Sequence, residues 1–300
     1  MSLNVSVIIP AAGHGRRFTQ HAAGPSKIEW PLAGKPVLLH AADLFLHRDD
    51  VGQLIIAVPP DQLDHFRDTY ADRLGWLGGT IVAGGTIERW ETVQAALQHV
   101  SEQASHIAVH DAARPLTSQA LIDRVFAAAR HYHAAIAATP VHDTLKRVES
   151  EEASSETGPS IAETTEDTQQ SDAAETDPLD ALLGGAQSAG PPAVQRIIET
   201  VPRRYTLAAQ TPQVFEAGLL RRAYDAFASA KEPANATDDA SLVQALGEPV
   251  YAVEGESTNF KLTHPADAEL AQALLEKRSE PDPKRQPRKV DDADEDEMFG

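Results

Sequence analysis

Five short runs of branched apolar residues, each followed by an amphipathic helical pattern, constrain this chain more than any other feature. The runs are Val5–Pro10 (VSVIIP), Leu54–Val58 (LIIAV), Thr80–Ala83, Ile107–His110 and Ala134–Val141 (AAIAATPV). Helical spacing fills Pro36–His47, Asp61–Leu74, Glu88–Val100 and Ser118–Tyr132. A strand that is apolar on both faces must be covered on both faces, so the pattern predicts a largely parallel sheet between two helical layers. Further on, Phe215–Ala230 reads as a helix, and Thr237-Asp238-Asp239 gives a capped start to a helix over Ala240–Leu246. Val250–Val253 reads as a strand, followed by Asn259–Leu262 and then by Thr263-His264-Pro265, where proline suits a first helical turn. The expected class is α/β with three layers.

Two segments break this pattern. Eleven carboxylates fall between Glu149 and Asp180, and no Lys, Arg, His or aromatic residue occurs from Glu149 through Gln195. Such a stretch buries too little apolar surface to offset its ordering entropy, so about 149–195 is expected to be a disordered acidic insertion. The tail, 277–300, mixes Lys284-Arg285-Gln286-Pro287-Arg288-Lys289 with a carboxylate run from Asp291 to Glu297 and reads as a solvated end. What remains is one domain of ordinary size within 1–276.

Composition excludes several function classes. With no cysteine, disulfide frameworks, thiolate zinc sites, iron–sulfur clusters and cysteine nucleophiles are ruled out. A net charge of −19 argues against a protein that coats nucleic acid or an anionic membrane. No apolar run approaches a bilayer span, and Met1-Ser2-Leu3-Asn4 carries no basic leader, so a cytoplasmic location is expected. Twelve histidines include no H-E-x-x-H, and His131-Tyr132-His133 reads as helix surface. Trp30, Trp76 and Trp90 read as core residues rather than base-stacking groups.

The chemistry gathers where strands end. The first strand runs into Pro10-Ala11-Ala12-Gly13-His14-Gly15-Arg16-Arg17, with Lys27 shortly after. Small residues let a backbone turn approach a ligand, and the cations that follow suit a triphosphate. It is neither the dinucleotide fingerprint, since Phe18 stands where glycine is needed, nor a Walker loop. Alone, such a turn reads better as an ordinary βα loop. Val109-His110-Asp111-Ala112-Ala113-Arg114-Pro115 closes another strand, and its aspartate can hold either a ribose hydroxyl or a magnesium ion, its arginine a phosphate. Pro140–Lys146 (PVHDTLK), Gln210–Phe215 (QTPQVF), Thr237–Ser241 (TDDAS) and Asn259–Thr263 (NFKLT) complete the ordered set.

On these six motifs the chain resembles the 2-C-methyl-D-erythritol 4-phosphate cytidylyltransferase family, CTP-using enzymes of the non-mevalonate isoprenoid pathway. The resemblance covers about residues 4–148 and 196–276. It implies a Rossmann-like nucleotidyltransferase fold with a protruding β-arm over about 142–209 that clasps a second subunit as a homodimer, the acidic insertion interrupting the arm. It implies that Ala11, Ala12, Gly13 and Gly15 line CTP, and that Gly85 and Thr92, in the segment that reads cytosine, do so with Asp111 and Ala112. Arg17 and Lys27 match the pair that stabilises the transition state, with Lys261 also catalytic. Arg114, Thr144, Arg203, Lys261 and Thr263 match positions facing the sugar-alcohol phosphate, and Asp111 matches the position near ribose and a divalent ion such as Mg²⁺. Lys146 fits a surface cation as well as a site residue.

Two segments depart from the family pattern: Pro25-Ser26-Lys27-Ile28 replaces P-K-Q, and Gly84–Val93 is one residue longer than G-G-x-x-R-x-x-S-V, with threonine for serine. Arg203 is followed by Arg204. A phosphomonoester nucleophile is already an anion near neutral pH, so the reaction implied needs no general base. Rival readings are a ribitol-5-phosphate cytidylyltransferase and a non-catalytic nucleotide-sensing domain.

Overall fold

The computed structural model describes residues 3–13, 15, 18, 25–75, 78–149, 194–230 and 236–279. Arg17, Trp76, nearly all of the acidic insertion and the tail beyond Ser279 lie outside the described residues. The chain divides into two compact units, Met1–Thr139 with Ala208–Gly300, and Pro140–Leu207.

The first unit is built on a seven-stranded sheet. Its strands are β1 (Val5–Pro10), β4 (Val51–Val58), β5 (Gly79–Ala83), β6 (His106–Val109), β7 (Ala134–Pro140), β10 (Leu207–Glu216) and β11 (Tyr251–Glu254), in the order β11-β7-β10-β6-β1-β4-β5. Pairs β6–β1, β1–β4, β4–β5 and β11–β7 are parallel, and β10 runs antiparallel to β6. A small hairpin, β2 (Pro31–Leu32) with β3 (Lys35–Pro36), stands apart from this sheet.

Alternate residues of each strand feed two separate cores. Val5, Val7 and Ile9 of β1, with Leu54, Ile56 and Val58 of β4, pack against helices α1 (Val37–Asp43), α2 (Leu63–Gly75) and α4 (Gln119–Tyr132). Ile8, Ile55, Ala57, Ile107 and Val109 face the other way, onto α3 (Arg89–Leu97), α5 (Ala217–Ala228) and α6 (Asp239–Ala245). The strands read as unbroken apolar runs because both faces are buried. The three-layer α/β expectation is met. A third cluster, around Leu32, Val37, Leu116 and Leu262, lies under the last helix, α7 (Pro265–Ser279).

Local signals explain the helix boundaries. Ser118 caps α4 by accepting from the Leu121 N–H at 3.0 Å, and His133 closes that helix in the left-handed conformation, φ 62°. Asp238 caps α6 through the Ser241 N–H at 3.0 Å. Trp30 and Trp90 pack edge-on against Phe18 and Phe227, as core residues do.

Three expectations need correction. Phe215 belongs to β10, not to a helix, and α5 starts at Ala217. The ten-residue strand β10 is not legible in the sequence, because Gln210-Thr211-Pro212-Gln213 has the polarity and proline of a turn. Asn259–Leu262 has no regular secondary structure, and α7 continues past Lys277 to Ser279.

The second unit contains an antiparallel pair, β8 (Lys146–Val148) with β9 (Ile197–Thr200), followed by a 3-10 turn at Arg203–Tyr205. Its exposed faces include Ile197, Ile198 and Tyr205.

Candidate active site

The C-terminal ends of β1, β5 and β6 surround a cleft of about 170 Å³. Ala11, Ala12 and Gly13 line it from β1, Gly85 and Thr92 from the loop after β5 and from α3, and Asp111 and Ala112 from β6. Lys27 also borders it. Gly15 is not part of that lining; it sits at φ 60°, where a Cβ would meet Lys27 Cβ at 3.3 Å. Its contribution is therefore to let the turn close beside Lys27. Thr92 Oγ1 accepts from the Gly85 N–H at 3.2 Å, so the hydroxyl that replaces serine does face the cleft and retains its own proton to donate.

Lys27 lies in a turn that is pinned to its surroundings. The Ser26 hydroxyl donates to Glu29 Oε2 at 2.8 Å, and Glu29 Oε1 is hydrogen-bonded to His65 Nε2 of α2 at 2.7 Å. The Leu38 N–H donates to the Ile28 carbonyl at 2.8 Å. The altered Pro25-Ser26-Lys27-Ile28 register thus has its own anchor in this chain.

A second cleft, of about 230 Å³, opens beside the first and is bordered by Arg114, Gln210, Thr211, Gln213 and Asp238. Antiparallel β10 brings these residues here: Gln213 pairs with Val109, so Thr211 lies beyond the end of β6, where its Oγ1 accepts from the Asp111 N–H at 3.0 Å. Arg89, Asp111 and Lys261 border both clefts.

These three side chains form one charge cluster. Asp111 Oδ1 lies 3.2 Å from Arg89 Nε, and Oδ2 lies 3.0 Å from Lys261 Nζ and 3.5 Å from Arg114 Nε. Burial by itself would raise the Asp111 pKa, but Arg89, Lys261 and Arg114 together hold the carboxyl well below the usual range, so it stays ionised. Burial likewise depresses Arg89, and Asp239 with Asp111 more than reverses this. Arg114 is fixed by carbonyls, Nη1 donating to Asn259 O at 2.7 Å. Its buried Nε makes no hydrogen bond among the described residues beyond the 3.5 Å ion pair with Asp111, and the residue borders the second cleft.

The remaining expected residues divide. The Thr263 hydroxyl donates to the Lys261 carbonyl at 3.1 Å and its N–H to Asp267 Oδ2 at 2.6 Å; it borders neither cleft and instead shapes the start of α7. Thr144 and Arg203 belong to the second unit. Thr144 is exposed, and the Arg203 guanidinium donates to the His142 carbonyl. Lys146 donates to Thr200 Oγ1 at 2.7 Å within the β8–β9 pair.

Sequence reasoning assigns no role to Arg89 or Asp239, although both lie inside quoted motifs. The signal that could find them is a charge placed among residues that helical spacing sends to the core: Asp239 is fully buried. Among the described residues, no group of three or more His, Cys, Asp or Glu is placed to hold a metal ion.

A mostly parallel α/β sheet carrying small-residue loops and a cationic cluster at the strand ends fits a nucleotide-dependent transferase of Rossmann-like type. A family profile described as 2-C-methyl-D-erythritol 4-phosphate cytidylyltransferase matches residues 5–176 and 180–277. The chain belongs to that family, and is an enzyme. A relative of that name from Rhodopirellula baltica is 36% identical over 92% of this chain and 97% of its own length. Another from Frankia casuarinae is 34% identical over 91% of this chain and 82% of its own. The crystal structure of the Thermus thermophilus protein of the same name has 31% identity and a TM-score of 0.61, covering 91% of this chain and all of its own.

Proposed function

We infer that this enzyme transfers CMP from CTP to 2-C-methyl-D-erythritol 4-phosphate, releasing pyrophosphate and forming 4-diphosphocytidyl-2-C-methyl-D-erythritol. The observation that carries the reading is the common wall of Arg89, Asp111 and Lys261 between two clefts, one lined by glycine-rich nucleotide motifs and one bordered by Arg114. An α-phosphate at that wall is within reach of a phosphomonoester in the second cleft. The acceptor oxygen forms the new P–O bond in line as the bond to the β-phosphate oxygen breaks, and pyrophosphate carries away the electron pair.

The obstacle is repulsion between two polyanions and the charge developing at phosphorus. Lys261 in the wall and Lys27 at the border of the first cleft oppose both, and Arg17 belongs to the same set in this reading. Fixed cations of this kind act through positioning and electrostatics, without moving a proton. Arg114, which borders the second cleft, is the cation offered there to the phosphate of the sugar alcohol.

The same reading includes a divalent ion, a homodimer and a cytoplasmic setting. The donor set fits Mg²⁺, which is commonly held by one or two carboxylates plus substrate phosphates. Asp111 is the one protein carboxylate in the cluster, and the ion would neutralise charge between the phosphates. The exposed Ile197, Ile198 and Tyr205 of the β8–β9 unit support an arm that packs on a second copy, with Thr144 and Arg203 offered to the acceptor phosphate. The absence of cysteine and of any described helix long and apolar enough to cross a membrane is compatible with the cytoplasm.

Pyrophosphate release from CTP with 2-C-methyl-D-erythritol 4-phosphate tests the reading. Release is expected to stop on chelation and to return with Mg²⁺. Equal or better turnover of ribitol 5-phosphate, or none with the methylerythritol acceptor, would overturn the substrate assignment. A monomer by light scattering would remove the dimer.

A further inference from the structure

Asp239 is a fully buried carboxylate at the start of α6, and it borders neither cleft. A charge so placed is costly unless both oxygens are engaged. They are: Oδ2 accepts from Arg89 Nη2 at 2.8 Å, and Oδ1 from the Tyr224 hydroxyl at 2.5 Å. The neighbouring donor of the same guanidinium, Nε, donates to Asp111 Oδ1 at 3.2 Å. Arg89 is therefore strung between one carboxylate in the active site and one behind it.

The rear anchor is itself held. Tyr224 comes from α5, and Gln213 of β10 fastens the beginning of α6. Gln213 Nε2 donates to Asp238 Oδ2 at 2.8 Å, and its Oε1 accepts from the Ala240 N–H at 3.0 Å. Asp111, just beyond β6, and Asp239 of α6 thus meet on the guanidinium of α3, with Tyr224 of α5 and Gln213 of β10 holding the rear partner in place.

An arginine released from its rear partner has a better option within the site. It can turn to meet Asp111 with two parallel N–H groups, the favoured arginine–carboxylate geometry. That would occupy both Asp111 oxygens and displace Lys261, which now uses Oδ2.

We propose that Asp239 is a positioning residue for cytidylyl transfer: by holding one end of Arg89 it limits that arginine to one oxygen of Asp111 and leaves the other to Lys261. The inference rests on the cytidylyl-transfer reading above.

The test is a double-mutant cycle on the full-length enzyme, with kcat, the KM for CTP and Tm measured for Asp239→Leu, Arg89→Met and Arg89→Met/Asp239→Leu, and with Asp239→Asn as a conservative single variant. Asp239→Asn is expected to lower kcat about 10–100-fold, the scale on which loss of a supporting partner acts, with little change in the KM for CTP. In the Arg89→Met background, Asp239→Leu should cause no further loss of kcat, because Asp239 acts through that arginine. The paired variant removes both charges and is expected to fold, since apolar replacement of a buried ion pair is often neutral or stabilising. Wild-type kcat in Asp239→Asn overturns the proposal, as do multiplicative losses across the cycle. A pair that fails to fold also overturns it, since it makes Asp239 a structural residue. An inactive wild-type enzyme would count against the functional reading, whereas an active wild type with unaffected variants counts only against the role of Asp239.

Discussion

The Nζ of Lys261 stands 3.0 Å from Oδ2 of Asp111, joining the irregular Asn259–Thr263 segment to the end of β6. The segment is held firmly. Asn259 Nδ2 donates to the Gln210 side chain at 3.1 Å and to the Thr211 carbonyl at 2.9 Å, and the Leu262 N–H donates to Ala113 O at 2.8 Å. A cation so fixed serves a transition state better than a freely moving one. Lys261→Ala should lower kcat by about 10²–10³, on the scale of losing one oxyanion donor. A raised KM with unchanged kcat would reassign it to ground-state binding.

Lys27→Ala is expected to have a kcat effect of the same order, as is Arg17→Ala. Glu29→Gln tests the anchor of the Lys27 turn. It weakens the bonds to Ser26 and His65 but leaves Lys27 in place. A fall in kcat of about tenfold at unchanged Tm is expected, corresponding to roughly 1.4 kcal/mol of barrier. An unchanged kcat would show that the turn keeps its position without Glu29.

Two glycines of the nucleotide cleft should fail in different ways. A Cβ at Gly85 would stand 2.3 Å from Glu91 Cβ and 2.8 Å from the Thr92 nitrogen, so the loop after β5 must move. Gly85→Ala should lower stability by about 1–3 kcal/mol and raise the KM for CTP. At Gly13 nothing lies within 4 Å, so Gly13→Ala should keep its Tm and affect CTP alone. Thermal melts beside CTP titrations separate the two, and equal Tm losses would contradict the contact geometry.

Burial pushes the His110 imidazole down to about 4. Its Nε2 faces the Arg114 carbonyl and its Nδ1 the Thr211 hydroxyl, each at 3.2 Å, an arrangement that suits a neutral ring. The unfolded chain, with an ordinary histidine near 6.5, takes up the proton first as pH falls. The stability involved is therefore fully present above about pH 6.5 and declines toward pH 4, by about 2 kcal/mol at pH 5. His40 and His106, also lowered by burial, act in the same direction. Asp111, held low, loses its contribution only below the ordinary carboxylate range. Urea unfolding at pH 7 and pH 5 should show a smaller difference for His110→Asn than for wild type, and an identical difference would contradict the neutral, buried ring.

Arg203→Ala should mainly raise the KM for the sugar-alcohol phosphate, because in the proposed dimer its role is to meet that substrate and not CTP. Full activity at low acceptor concentration would reject the contact.

Much of this molecule can be read from its residues, for a physical reason. β1 and β4 are visible because burial on both faces demands unbroken apolar runs, and α4 because helical spacing runs unbroken from Ser118 to Tyr132. The motif residues Asp111, Arg114 and Lys261 are legible one by one, and they do converge. β10 escapes because its buried polar side chains satisfy one another across the fold, so its burial leaves no apolar signature: Gln210 meets Asn259, and Gln213 meets Asp238 and Ala240. Thr263 matches a substrate-facing position in sequence yet turns elsewhere, because a motif specifies residue identity but not side-chain direction. Arg89 and Asp239 are visible as letters, but their pairing spans 150 residues and exists only once α3 and α6 are packed on the same face.

Setting Asp111 among Arg89, Arg114 and Lys261 also has a kinetic consequence. Long cationic side chains lose up to about 2 kcal/mol of rotamer entropy each when they are immobilised. Here the protein's own carboxylate immobilises them as the chain folds. An arriving polyanion then exchanges partners with cations already aimed at one point, and recruits no wandering ones. Capture should therefore depend on how fast Asp111 yields its contacts, with little waiting for side chains to assemble.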